Sequence, residues 1–355
     1  MKRSTKIVLI VILCVACAIA VGGIYAYSFF STLDEAAASS ESGTESDIID
    51  FTVESGMTTS DIAQALEDDG VIKSAFKFKV FSRRSGYDGT YQAGTYALSP
   101  AMKLSEIAEI LSEGKVNTIS FTVVEGMTVN DIAELLSDKG LVSSDEFRKL
   151  LTDGGYENDY DFLATVSQEA IDAGNRFEGY FFPATYEVYK GVTGDQIIRM
   201  MLDRFEQAYT DEMKARADEL GLTTNEVVTI ASIIEKEAPL DSDRPLVASV
   251  IYNRLDAGMT LGMTSTVNYL LNKYEELTTD DLATESPYNT YINYGLPAGP
   301  ICSPSDTALN AALYPAETDY LYFVLSAKGD GSNAFSSDYE QFLEDTQAYY
   351  DSIDG

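Results

Sequence analysis

The chain has 355 residues, more than one typical core requires, and this length predicts two or three domains. It contains no histidine, which excludes serine–histidine–aspartate and cysteine–histidine nucleophiles and zinc held by histidine. Asp and Glu outnumber Lys and Arg by 57 to 24, and the formal net charge of -33 predicts repulsion of nucleic acid and of anionic membrane surfaces, with no basic stripe to oppose it. Carboxylates are therefore the acid–base groups we expect.

The N-terminus combines basic residues with a long apolar run. Lys2, Arg3 and Lys6 precede a stretch without charge that begins at Ile7 and ends before Asp34. This run is longer than the apolar region of a secretory signal and suits a membrane-spanning helix of about 20 residues. Residues 1–30 are therefore predicted to be a cytoplasmic tip and a single-pass anchor in the cell membrane, with the remainder outside the cytoplasm. A cleaved signal peptide is the alternative.

A twenty-residue pattern occurs twice after a Ser-, Ala- and acid-rich stretch, residues 31–48, that predicts a solvated linker. FTVESGMTTSDIAQALEDDG at 51–70 and FTVVEGMTVNDIAELLSDKG at 121–140 are identical at twelve of twenty positions. Each predicts a strand, a glycine turn and a helix, which Thr59 or Ser60 caps in the first copy. GTYALSPAMKLSEIAEILSEGK, between them, is a weaker third example.

The pattern resembles LysM modules, which bind polymers of N-acetylglucosamine. The alternative is that the copies only pack on one another to build a small α+β domain. The spacing of the residues does not decide between these two interpretations.

The second half of the chain contains a predicted helix with two acids near its end. Thr223 and Glu226 form a capping box before an apolar series, and Pro239 ends the helix. At about 100° per residue, Glu235 and Glu237 lie roughly 200° apart on this helix, so they cannot both face one glycosidic bond. A carboxyl at the border of an apolar face is partly desolvated, which favours its neutral, proton-donating form. The alternative is that each is an ordinary solvated acid at a helix end.

Polar side chains that suit a binding groove follow. The next predicted helix, RPLVASVIYNRLDAG, offers Arg244, which can clamp a carboxylate, and Asn253, which can pair with an amide. A later loop offers Tyr288, Asn289 and Thr290. Each residue also has an ordinary interpretation as a surface, capping or core residue.

The order of several motifs resembles the MltG (YceG-like) endolytic murein transglycosylase family over roughly residues 50–350. These motifs are FEGYFFPATY, ASIIEKEA, VASVIYNRLDAGMTL, SPYNTY, GLPAGPICSP and ALYPAETDYLYFV. The resemblance implies an α+β protein with an N-terminal transmembrane helix, a LysM-like α+β repeat domain at 49–155 and a mixed α/β catalytic domain at 156–355.

The resemblance also implies a reaction. Peptidoglycan would be cleaved between N-acetylmuramic acid and N-acetylglucosamine to leave 1,6-anhydro ends, with Glu235 as the acid and then the base and with no metal or other cofactor. Substrate binding would fall to Arg244, Asn253, and the run Tyr288, Asn289 and Thr290. The implied partners are glycan strands and peptidoglycan synthases (penicillin-binding proteins), with no nucleic acid.

Three departures from the family pattern remove polar or titratable groups. Gly262, Met263 and Thr264 stand where Gln, Ser or Thr, and Asp are usual, Ala184 stands where an Asp is usual, and a late histidine is absent. An inactive peptidoglycan-binding scaffold of the wall-synthesis machinery is therefore one alternative. Another is a two-carboxylate hydrolase, and the possible alternative acids are Glu178 and Glu237.

Overall fold

Both copies of the twenty-residue pattern form a strand, a glycine turn and a helix. The helix of the first copy begins earlier than predicted, because its cap is Thr58 and not Thr59 or Ser60. The Thr58 hydroxyl accepts from the Asp61 amide and the Asp61 carboxylate accepts from the Thr58 amide, so this capping box satisfies two otherwise unpaired donors. Thr128 caps the second copy in the same way.

The structure is a computed structural model and describes residues 49–114, 118–189, 192–273 and 276–354. The fold is α+β, as predicted. The chain forms two compact units, the first ending at Ile119 and including Val188–Gly191, the second containing Ser120–Glu187 and Val192–Gly355. This division differs from the predicted bounds of a LysM-like repeat domain at 49–155 and a catalytic domain at 156–355. The functional roles of those two segments stay a prediction.

The first unit contains one antiparallel pair of strands with helices packed against it. Phe51 and Val53 alternate with exposed residues along the first strand and are buried, as the period of two requires. Phe51 lies opposite Tyr96 of the partner strand. The elements in chain order are β1 (Ile49–Val53), α1 (Thr59–Asp68), α2 (Ala75–Ser85), β2 (Gly94–Leu98) and α3 (Leu104–Glu113).

The structural repeat extends beyond the twenty residues that match in sequence. The segment predicted as a third copy supplies β2 and α3, which complete the first unit around β1. In the second copy β3 (Thr118–Val123) pairs with β4 (Ala184–Tyr189), and the hydroxyls of Thr122 and Thr185 are 3.0 Å apart. The hydroxyls of Thr52 and Thr95 form the same cross-strand contact at 2.9 Å. We conclude that the repeated structure includes the partner strand.

The second copy lies in the larger unit, together with the helix that carries Glu235. That helix, α9 (Thr224–Glu237), is buried on almost all sides. It packs against α10 (Arg244–Asp256), α11 (Thr264–Leu271) and α13 (Asp306–Leu313). The elements are β3 (Thr118–Val123), α4 (Val129–Asp138), α5 (Ser144–Asp153), α6 (Gln168–Asp172), β4 (Ala184–Tyr189), α7 (Gly194–Ala208), α8 (Asp211–Leu220), α9 (Thr224–Glu237), α10 (Arg244–Asp256), α11 (Thr264–Leu271), α12 (Thr279–Leu282), α13 (Asp306–Leu313), β5 (Tyr322–Leu325), β6 (Asn333–Ser336) and α14 (Tyr339–Asp354).

The predicted membrane anchor at residues 1–30 and the linker at 31–48 lie outside the described residues. Within the described ranges, the helices lack the combination of length and apolar composition that a membrane crossing needs. The capping box of Thr223 and Glu226 is confirmed at the start of α9.

Candidate active site

Glu235 lies in the last turn of α9 with both carboxylate oxygens engaged. Its side chain is 8% exposed. Oε1 accepts from the Arg244 Nη2 at 3.0 Å, and Oε2 accepts from the Ser305 backbone N–H at 2.9 Å and the Ser305 hydroxyl at 2.6 Å. Three donors from two different elements therefore fix the plane of the carboxyl group.

Arg244 is the centre of the network around Glu235. It is the first residue of α10, and its side chain is 10% exposed. Its Nη1 donates to the hydroxyls of Ser305 and Thr307, and its Nε lies 3.2 Å from the Asp241 carboxylate. The planar guanidinium thus joins the start of α10, the end of α9 and the first turn of α13.

The loop that carries Ser305 is fixed by the second copy of the repeated pattern. The Gly126 N–H donates to the Ser303 carbonyl at 2.9 Å, and the Ser303 N–H donates to the Met127 carbonyl at 2.8 Å. This pair of backbone bonds lies two residues from Ser305. The turn of the second repeat therefore supports the residue that holds Glu235.

Glu178 is a second buried acid in this unit. It is 2% exposed, and it accepts from the Tyr269 hydroxyl at 3.0 Å and from the Val129 N–H at 3.2 Å. Burial raises the pKa of Glu178 to about 8, and these hydrogen bonds act in the opposite direction. The residue lines a cavity of about 430 Å³ that also includes Arg148 and Arg176. Burial therefore favours the protonated form of Glu178, which lies at the N-terminus of α4.

Glu237 points to a different neighbour from Glu235, as the helical wheel indicates. Its Oε1 accepts from the Ser265 N–H at 3.2 Å, in the first turn of α11. Burial raises the pKa of Glu237, and the hydrogen bonds from Ser265 oppose this shift. The two acids of α9 thus belong to separate environments.

The other predicted binding residues make contacts with the backbone. Asn253 donates to the carbonyls of Thr318 at 3.0 Å and Tyr320 at 2.9 Å. Asn289 is fully buried and donates to the carbonyls of Leu282 and Thr284, both at 2.9 Å. In the described part of the chain, Arg244 is the one predicted residue brought into contact with Glu235. The role of the others in binding substrate stays a prediction.

Thr290 lies beside the turn at Gly262 and Met263, where the sequence departs from the family pattern. The Thr290 carbonyl accepts from the Gly262 N–H and its hydroxyl accepts from the Met263 N–H, both at 2.9 Å. Gly262 has a φ of +56°, in the left-handed region that glycine adopts without strain. The Tyr288 ring lies 5.3 Å from that of Tyr269. The substituted turn is therefore held in place by Thr290.

Sequence reasoning missed Ser305, which is the closest partner of Glu235. The residue caps α13 through a hydrogen bond from the Ala308 N–H. Serine before the apolar series of DTALNAAL is a recognisable helix start, and the N-terminus of a helix stabilises a carboxylate. The sequence therefore signals a helix start at Ser305, but only the fold determines that Glu235 is the acid that lies there.

The fold and this site define an α+β protein in which one acid at a helix end is held by an arginine and a serine from two other helices. The model of the YceG-like family matches residues 51–348. The chain therefore belongs to the YceG-like family.

Two kinds of relatives agree with this assignment. The "Endolytic murein transglycosylase" of Bacillus subtilis (strain 168) is 33% identical over 311 residues, which are 86% of this chain and 85% of the relative. Proteins with the same name from Streptococcus pneumoniae strains D39 and R6 are 31% identical over 304 residues, and the match spans about half, 52%, of their length. A 2.6 Å crystal structure of a YceG-like protein from Listeria monocytogenes covers 84% of this chain and 99% of its own, with a TM-score of 0.57 and 32% identity.

Proposed function

We propose that this protein is a lytic transglycosylase that cleaves peptidoglycan glycan strands between N-acetylmuramic acid and N-acetylglucosamine, with Glu235 as its single acid–base group. The observation that supports this role best is the orientation of Glu235 by Arg244 and Ser305. The name that the relatives share, endolytic murein transglycosylase, supports the reaction class.

The proposed reaction uses one carboxyl group twice. Protonated Glu235 donates its proton to the glycosidic oxygen while the bond from that oxygen to C1 of the muramoyl residue breaks. The oxygen keeps the bonding electron pair and leaves as a hydroxyl of N-acetylglucosamine. The muramoyl C6 oxygen then bonds to C1, and its proton passes to the Glu235 carboxylate. The product is a 1,6-anhydro end, and no water is consumed.

The partners of Glu235 suit an acid that becomes a base. Among the described residues Oε1 accepts one hydrogen bond, from Arg244, so its second lone pair can carry the transferred proton while Ser305 holds Oε2 through two donors. The Arg244 guanidinium only donates, and it stabilises the negative charge that appears after the first proton transfer. The network can therefore remain in place through both steps.

The test is mass spectrometry of glycan strands incubated with the full chain or with Glu235→Gln. We expect anhydro-ended fragments from the wild type and a loss of at least about 100-fold in rate for the variant, the ordinary contribution of general acid–base catalysis. Glu206→Gln, an exposed acid of α7, is the matched control and should cleave normally.

Other outcomes would assign a different function. Fragments with reducing ends would indicate a hydrolase, and anhydro products that persist in Glu235→Gln would move the role to Glu178 or Glu237. Binding without cleavage by the wild type would indicate a scaffold, with the turn at Gly262 as the first position to restore.

Anchoring and strand binding form the second part of the proposal. Residues 7–30 would hold the protein in the cell membrane with both units outside the cytoplasm, beside the peptidoglycan synthases. The LysM-like repeats would hold glycan strands for Glu235. A chain lacking 49–114, which keeps the second unit intact, should bind insoluble peptidoglycan less tightly while it still cleaves; unchanged binding would contradict this role.

A further inference from the structure

The helix α2 and the turn before it carry a concentration of positive charge. Five of the 24 basic residues lie between Val71 and Tyr87, and this segment contains no acid. They are Lys73, Lys77, Lys79, Arg83 and Arg84. The expectation from the net charge of -33, that no basic stripe exists, is therefore wrong for this helix.

The exposed face of α2 combines these charges with an apolar ridge. The opposite face of α2 packs against the core of the first unit and carries the buried residues Ala75, Phe78 and Ser82. Phe76 is 63% exposed. At about 100° per residue, Phe76 and the half-buried Val80, which form this apolar ridge, lie within roughly 60° of each other and of Arg83 on the solvent side.

Basic side chains lie on both sides of this ridge. On the helical wheel, Lys79 falls on one side of the ridge, and Arg84 and Lys77 fall on the other. Arg83 has an ion pair of 3.5 Å with Asp88, but its side chain is 84% exposed, so solvent screens this pair strongly. A groove of about 570 Å³ separates the ridge from the first turn of α1. An apolar centre with basic flanks is typical of helices that lie in the plane of a membrane interface.

We propose that this face of α2 docks on the anionic headgroup surface of the membrane, with the Phe76 ring in the interface. Two observations favour a membrane over a soluble polyanion. A soluble polyanion has no apolar region for Phe76, whereas the headgroup boundary accepts an aromatic ring. The described chain also begins 19 residues after Phe30, the end of the apolar run, so the proposed anchor would keep α2 at a high local concentration near the lipid.

Docking would fix the first unit against the membrane by a contact separate from the anchor. Each basic residue near an anionic surface raises the partition roughly fivefold, so two charge reversals should weaken docking by at least about 25-fold. The inference uses the proposed anchor only for proximity. Its test measures no cleavage, so its failure and the failure of the proposed reaction are distinguishable.

The absence of tryptophan from the chain makes a clean test possible. Phe76→Trp in the full chain gives a single reporter, and the protein is reconstituted in vesicles of phosphatidylcholine with or without phosphatidylglycerol. We expect the emission to shift to shorter wavelength, with quenching by brominated lipid, only in the anionic vesicles and less at high salt. Tyr350→Trp, on α14 and 50% exposed, is the control reporter and should not shift.

A charge-matched pair of variants separates specific docking from general attraction. Lys77→Glu with Arg83→Glu, in the Phe76→Trp chain, should abolish the shift. Lys139→Glu with Lys149→Glu makes the same change in net charge at exposed positions of the second unit and should leave it intact. The proposal is overturned by no shift in anionic vesicles, by an equal shift in neutral vesicles, or by an equal shift with soluble polyphosphate and no anionic lipid.

Discussion

Ser305 donates both its backbone N–H and its hydroxyl to one oxygen of Glu235, at 2.9 and 2.6 Å. Both groups belong to the cap of α13, so the start of one helix orients the acid at the end of another. The hydrogen bond from the hydroxyl can be removed without the one from the backbone. This separation makes Ser305 the most informative residue around Glu235.

We expect Ser305→Ala to lower kcat by about ten- to a hundredfold, because a hydrogen bond to a charged group contributes about 1.5–3 kcal/mol. Ser305→Thr keeps the hydroxyl and should recover most of the rate. Steady-state cleavage of glycan strands checks both variants. Equal rates for the wild type and the alanine variant would show that the hydroxyl does not position the acid.

Arg244→Met should destabilise the protein through Glu235. Because both side chains are nearly buried, at 10% and 8% exposure, the substitution leaves a buried carboxylate without a counter-charge and should lower the free energy of unfolding, by about 3–5 kcal/mol at most because the Ser305 hydrogen bonds remain. Adding Glu235→Gln should recover part of this loss. Urea denaturation of the two single variants and the double variant measures the coupling, and strictly additive losses would rule the ion pair out as the cause.

Glu178 should make stability depend on pH. Its pKa is raised to about 8 in the folded state from about 4.5, so the folded state keeps a proton that the unfolded state loses. The contribution of protonated Glu178 to the free energy of unfolding is therefore complete below pH 4.5 and is lost above pH 8. Between these values the free energy of unfolding falls by up to about 1.4 kcal/mol per pH unit. Denaturation midpoints of the wild type and Glu178→Gln from pH 5 to 8 should converge or cross as pH rises. Parallel curves would contradict the raised pKa, and Glu206→Gln is the exposed control.

Asn289→Ala distinguishes a structural role from a substrate-binding role. The side chain is fully buried and makes two hydrogen bonds of 2.9 Å to carbonyls, and its oxygen accepts from the Tyr291 N–H. Its loss leaves these groups unpaired, so we expect the free energy of unfolding to fall by about 3 kcal/mol. The KM of the folded protein for glycan should not change. A raised KM with an unchanged melting temperature would support substrate binding instead.

Local patterns in the sequence predicted local structure well. The βα units, the capping box of Thr223 and Glu226 and the divergence of Glu235 from Glu237 follow from periodicity and helix geometry, and all are present. The cap at Thr58 differed from the prediction by one residue, because neighbouring Thr and Ser residues offer the same hydroxyl. Short-range rules choose between adjacent positions poorly.

Relationships between distant segments could not be predicted. The contact of Ser305 with Glu235 joins residues 70 positions apart, and the Glu178 carboxylate lies at a helix start 49 residues earlier. The side chains of Asn253 and Asn289 are of a type that can bind substrate, yet both donate hydrogen bonds to backbone carbonyls. Burial decides between these uses of an amide, and burial is a property of the whole fold.

The position of the second copy has a consequence for how the two halves of the duplication can evolve. A Cβ on Gly56 would meet nothing within 4 Å in the described part of the chain, whereas one on Gly126 would lie 3.3 Å from the Lys236 ammonium. Gly126 and Met127 also form backbone hydrogen bonds with Ser303, two residues before the Ser305 that holds Glu235. Substitutions and insertions in the first turn therefore affect one small unit, and the same changes in the second turn reach the loop that holds Glu235. Identical sequence in the two copies does not imply equal freedom to vary, and we expect drift to accumulate mainly in the first.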